Sequence, residues 1–216
     1  MSFLPHDEIL SRQSELFLSH FCHKYVRQAS YDLRLGEEVY IMGQQAPERL
    51  TDRNPFVSIP PGQFALLTTH EEVQIPDWIL AFITLRFSFK LQGLLNVSGF
   101  HVDPTYQGKL LFAVQNVGPS DIRLKYGEPT FSIFFAKLTS SGIGESRERE
   151  QGEFKRLKGI RLQDVQSLGG NNLTLARVQK DLDRLRTLVL IYGPLAVAAA
   201  IAIFAALIAL FFQKSP

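Results

Sequence analysis

The sequence predicts a mainly β domain, a barrel or sandwich led by a short N-terminal helix, joined through a polar segment to a C-terminal helix that crosses a membrane. Three observations carry this. Short strand-like runs recur between Tyr31 and Leu138 with no long helical pattern between them. Turn residues punctuate the runs: Pro60-Pro61-Gly62, Asp103-Pro104, Gly118-Pro119 and Tyr126-Gly127. Finally, residues 187–212 contain no charged side chain. At ~1.5 Å per residue such a stretch exceeds the ~30 Å hydrocarbon core of a bilayer.

The N-terminal helix is expected over residues 7–28, where Ile9, Leu10, Leu16, Phe17, Phe21 and Tyr25 fall at roughly helical spacing. The strand runs follow as YDLRLG, EEVYIM, FVSI, FALLTT, ILAFITLRFSFKL, VSGFHVD, KLLFAVQNV, DIRLKYG and TFSIFFAKL, and the 17 Phe residues supply bulk for a core. This β domain occupies residues 1–138. Residues 139–172 read as a polar linker, closed by the helix-breaking run Gly169-Gly170-Asn171-Asn172. The charged run at residues 147–150 within it is either a solvated face or a contact for acidic lipid or phosphate.

Residues 173–186 are expected to form a stalk. Leu175, Val178, Leu182, Leu185 and Val189 repeat at spacings of three and four, the seam of a coiled coil or the apolar face of a lone amphipathic helix. The transmembrane helix then runs over 187–212, with Gly193-Pro194 as a kink or the start of its core at Leu195. Arg177, Lys180, Arg184 and Arg186 precede the span and only Lys214 follows it. This asymmetry puts the N-terminal domain in the cytoplasm of a single-pass, tail-anchored protein. MSFLPHDEIL lacks the basic and apolar regions of a signal peptide.

A net charge of +2 gives no basic face for wrapping nucleic acid. The single cysteine, Cys22, permits neither an intrachain disulfide nor a multi-cysteine zinc site, and packs best as a small apolar side chain. His20 and His23 lie at helical spacing but have no apparent third ligand, so no metal site is expected.

Four segments in order resemble the dCTP deaminase/dUTPase family. They are SYDLRLG (Ser30–Gly36), IPPGQFALLTTHEEVQIPDWI (Ile59–Ile79), RFSFKLQGLLNVSGFHVDPTYQGKLLFAVQNVG (Arg86–Gly118) and LKYGEPTFSIFFAKL (Leu124–Leu138). The resemblance implies a distorted dUTPase-like β-barrel that assembles as a homotrimer, with deoxynucleotide sites between subunits. By the same resemblance Asp103 stands beside the sugar and base and in dUTPases positions the attacking water, a task a carboxylate performs by accepting the water's hydrogen bond. Tyr106 matches the aromatic under the sugar. Arg86 matches the arginine that engages phosphates, for which a guanidinium has the right fork. Ser88 matches a polar position of the phosphate turn. Gly108 allows the tight hairpin, and His101 lies on the same hairpin. Mg2+ would enter through the nucleotide phosphates, with no other cofactor.

The departures from the family pattern narrow the activity. Ala113 stands where the deaminase has its proton-shuttling Glu, and a methyl group moves no protons. Phe87 replaces the first Ser of the phosphate turn, Leu91 the second Arg, and Ser132 the Gln of the closing strand. The Gly-rich C-terminal arm of dUTPases, with its Arg and Phe, has no counterpart. Three readings follow: a catalytically impaired nucleotide sensor or effector at the membrane; an active dUTP pyrophosphatase (or, less in keeping with Ala113, a dCTP deaminase) using Asp103; and a trimeric scaffold with a vestigial pocket.

Overall fold

The computed structural model describes residues 2–140, 156–161, 163–165 and 175–213. The chain divides into two compact units, Met1–Asn172 and Leu173–Pro216.

The first unit is mostly β. Its strands are β1 (Ser2–Phe3), β2 (Phe17–Ser19), β3 (Tyr31–Ile41), β4 (Glu48–Arg49), β5 (Phe56–Ile59), β6 (Phe64–Gln74), β7 (Ile79–Leu85), β8 (Leu94–Asn96), β9 (His101–Val102), β10 (Gln107–Asn116), β11 (Ile122–Lys125), β12 (Pro129–Lys137) and β13 (Arg156–Leu157). Eleven of them form one curled sheet with the path β13-β10-β6-β3-β12-β7-β9, and β5 pairs with β11 separately. Burial alternates strictly along β7 and β10. That is the period-two pattern of strands with one face on a core. The core holds Tyr31, Phe112, Phe131 and Phe135, all fully buried, with Phe112 and Phe131 stacked at 3.9 Å.

Three sequence expectations change. YDLRLG and EEVYIM are one strand, β3. At their junction, a Cβ on Gly36 would lie 2.5 Å from the Thr69 carbonyl oxygen, so glycine lets β3 approach β6 where their register shifts. The run ILAFITLRFSFKL is not one strand. It ends at Leu85, where Arg86 donates its backbone N–H to Thr130 and the chain winds into the short helix α3 (Phe87–Leu91). Phe87 and Leu91 are each 71 % exposed there, so their hydrophobicity does not report burial.

The single helix expected over 7–28 is broken into α1 (His6–Ser11), α2 (Gln13–Leu16), β2 and a 3-10 turn at His23–Tyr25. Its apolar residues are buried, but β2 pairs with β6, and Phe17 packs on Tyr31 at 4.6 Å. His20 takes a left-handed φ of 61°, which no helix accommodates. Tertiary pairing overrides the local period.

Most of 139–172, including the charged run at 147–150, lies outside the described residues. Arg156–Leu157, within the stretch read as linker, is a strand parallel to β10, and Leu157 is buried. In the second unit one continuous helix runs from Leu175 to Gln213 with Pro194 inside it, so the expected stalk and span are a single element. Its segment Asp181–Ile203, with a mean hydropathy of 1.9, is long and apolar enough to cross a membrane. The seam residues Leu182, Leu185 and Val189 are exposed; the side chains of Leu175 and Val178 lie outside the described residues.

A buried polar network locks β3 to β6. Arg34 donates to Glu71 through Nε at 2.6 Å and through its backbone N–H at 2.8 Å, and the Tyr31 hydroxyl adds a bond at 3.2 Å to the fully buried carboxylate. Beside it, the His70 ring lies 4.3 Å from that of His20. Burial, helped by the nearby Arg34 charge, lowers His70 from 6.5 to about 4. Folded His70 thus stays neutral where the unfolded chain takes up a proton, so stability falls as pH drops from 6.5 towards about 4. His70→Gln should therefore lose less melting temperature over that interval than the unaltered protein; equal losses would refute this assignment.

Candidate functional site

The loop between β9 and β10 carries Asp103 and Tyr106, two of the residues singled out in the sequence. The Thr105 N–H donates to Ile75 and the Ile75 N–H donates to Tyr106, both at 2.8 Å, which clips the loop to the end of β6. Thr105 adopts a left-handed φ of 68° to make the turn. The loop lines a cavity of about 290 Å³, into which Asp103, Tyr106, His101, Ser98 and Leu157 project or pack.

The chemistry of the cavity follows from these positions. Asp103 is well exposed, and its carboxylate lies 3.8 Å from His101 Nε2. Tyr106 donates its hydroxyl to the Lys109 carbonyl, and burial pushes the phenol above its ordinary range, so it stays a neutral donor with an apolar ring. The cavity therefore offers one carboxylate, one aromatic face and one imidazole.

Gly108 has a role the sequence only half reveals. Its φ is +122°, and a Cβ there would stand 2.5 Å from the Leu157 carbonyl oxygen. The glycine admits β13 alongside β10, and β13 brings Leu157 into the cavity wall. Sequence reading missed Leu157, because one apolar residue in a charged segment carries no period.

Arg86 and Ser88 lie elsewhere. Arg86 precedes α3, with Nε 3.7 Å from Asp32 Oδ2 on β3. Ser132 on β12 faces Asp32 and donates to its Oδ1 at 3.1 Å. Ser88 is exposed on α3. The pairing of Ala81 with Val102 and Phe82 with His101 puts Asp103 level with Leu80. At ~3.4 Å per residue, Arg86 lies roughly 20 Å away along β7. A single copy thus splits the predicted residues into two groups, Asp103 with Tyr106 and Arg86 with Ser88.

Ala113 pairs with Leu66 in mid-β10, and its carbonyl accepts the N–H groups of Val97 and Ser98. Among the described residues no cluster of three His, Cys, Asp or Glu side chains could hold a metal ion.

A family model described as dCTP deaminase-like matches residues 3–138. The chain belongs to the dCTP deaminase-like family. The dCTP deaminase of Thermococcus kodakarensis is 31% identical over 140 residues, covering 65% of this chain and 88% of that protein. The dCTP deaminase of Pyrococcus horikoshii is 31% identical over 126 residues, covering 58% of this chain and 78% of that protein. Among solved structures, the 2'-deoxycytidine 5'-triphosphate deaminase of Agrobacterium tumefaciens superposes with a TM-score of 0.53 at 16% identity. It covers 69% of this chain, which spans about half (51%) of that structure, and the likeness is one of fold. The family match ends at residue 138, so β13 and the C-terminal helix lie beyond it.

Gly108→Ala should cost roughly 1–3 kcal/mol, because any Cβ meets both the strained φ and the Leu157 backbone. The measurements are melting temperature and trypsin cleavage within residues 156–161. A variant that melts and resists trypsin like the parent would show that β13 does not depend on this contact.

Proposed function

We propose that the chain is a membrane-anchored, homotrimeric member of its family that binds a deoxynucleotide as a catalytically impaired sensor or effector. One observation carries the reading. The cavity keeps the Asp103 carboxylate and the Tyr106 ring, while Ala113 leaves a methyl group where the relatives' deaminase pattern needs an acid. Binding groups are retained and the proton shuttle is not.

In this reading the Tyr106 ring packs against the deoxyribose, and the Asp103 carboxylate accepts a hydrogen bond from the ligand or from a water. Arg86 binds the phosphates, with Ser88 beside it. The two groups lie too far apart within one copy, so the site is completed by Arg86 and Ser88 of a second copy. Mg2+ would enter as a companion of the nucleotide phosphates.

The helix Leu175–Gln213 anchors the protein through its apolar segment, with the β unit in the cytoplasm. A ligand changes the state of such an anchor only by favouring one arrangement of the assembly over another.

The test uses the full chain in detergent, titrated with dCTP, dUTP, dTTP and UTP in the presence of Mg2+. Melting temperature, pyrophosphate release and cytosine-to-uracil conversion are followed together. The expected result is stabilisation by a deoxynucleotide, about 2.7 kcal/mol at 100-fold excess over Kd, without turnover. Asp103→Asn should remove most of it. Turnover of dUTP would make this an active pyrophosphatase using Asp103. No stabilisation by any nucleotide would leave a scaffold with a vestigial pocket.

A further inference from the structure

Asp32 is a buried carboxylate approached by two arginines. It is 4 % exposed on β3. Arg27 donates through Nε to its Oδ2 at 2.7 Å, and Arg86 Nε lies 3.7 Å from the same oxygen. Ser132 occupies the other oxygen. Two cations therefore converge on one anion, and the cluster keeps a net positive charge.

The geometry fits an outside anion. Both arginines turn Nε inward to Asp32. Their side chains are 49 % and 38 % exposed, which leaves the terminal Nη donors of two adjacent forks for an acceptor. Because both Nε atoms lie within 3.7 Å of one oxygen, the two guanidinium groups are close neighbours, near enough for one oligophosphate to meet both. Both backbones are pinned: the Arg27 N–H donates to Ser30 at 2.8 Å and the Arg86 N–H to Thr130 at 3.0 Å. A pair held in place before binding loses little entropy on binding. Leu91, the apolar residue at the second arginine position of the motif, is 71 % exposed and supplies no charge.

We propose that Arg27 and Arg86 form an oligophosphate-binding pair, with Asp32 as the residue that positions both, so that Arg27 supplies from outside the motif the second cation that Leu91 lacks. The proposal rests on the nucleotide-binding reading and assigns the part of that site which holds the phosphate chain.

The test compares the full chain with Arg27→Gln and Arg27→Lys in detergent. Affinities are measured for one deoxynucleoside and for its mono-, di- and triphosphate. Inorganic tripolyphosphate serves as a probe without base or sugar. In the unaltered protein affinity should climb with phosphate number. Arg27→Gln should weaken triphosphate binding about 10-fold or more and leave the monophosphate nearly unchanged, with Arg27→Lys in between. A purely structural Arg27–Asp32 ion pair would lower melting temperature without altering the triphosphate-to-monophosphate ratio, and an unchanged ratio overturns the proposal. Tripolyphosphate separates the two readings. If no nucleotide binds but tripolyphosphate binds to the unaltered protein and not to Arg27→Gln, the pair stands and the nucleotide reading fails. If tripolyphosphate binds to neither or to both alike, the pair fails.

Discussion

The fold is organised by the ion pair between Arg34 and the fully buried Glu71, which fixes β3 against β6. Separating two charges at such depth leaves one uncompensated, and the loss of either partner costs about 3–5 kcal/mol. With β3 held, its residue two positions earlier, Asp32, falls on the same side of the strand and beside Ser132 of β12. The Asp32 cluster then draws in Arg27 from the N-terminal segment and Arg86 from the end of β7. One rigid strand thus sets both the core and the cationic corner of the molecule.

Strand β7 separates the two halves of the candidate site. One of its ends leads into Arg86 and α3, and the level of Leu80 near the other faces the Asp103 loop. A β-strand is stiff and its rise per residue is fixed, so no loop movement within one copy closes roughly 20 Å between the groups. This spacing gives the trimeric, shared-site reading a physical motive beyond resemblance. In the proposed membrane-anchored reading, copies tethered through the C-terminal helix would meet at a raised effective concentration.

Much of the fold is legible from the sequence because half-buried strands write their burial as alternation, but the hairpin expected around Asp103 does not form: β9 pairs with β7, β10 pairs with β6, and Gly108 lies within β10. Elements whose conformation is decided by distant partners are not legible. Phe17 looks helical beside Leu10 and Phe21, yet pairing with β6 makes it a strand residue. Phe87 and Leu91 look like a continuing strand because hydrophobicity alone does not distinguish a buried face from an exposed helix. Asp103, Tyr106 and Arg86 stand out in the sequence because they lie in the segments that carry the family resemblance. Leu157 and Arg27 lie outside it, in charged or polar stretches, and only the fold brings them to the cavity and to Asp32.

The most direct measurement is subunit complementation. Full-length Asp103→Asn and Arg86→Gln chains, each defective in nucleotide binding alone, are co-expressed and purified as mixed assemblies. If the site is shared between copies, random mixing restores both groups at about a quarter of sites, and nucleotide binding reappears at that stoichiometry. Mixed assemblies that form but bind no nucleotide, while the unaltered protein does, would place the whole site within one copy and contradict the account.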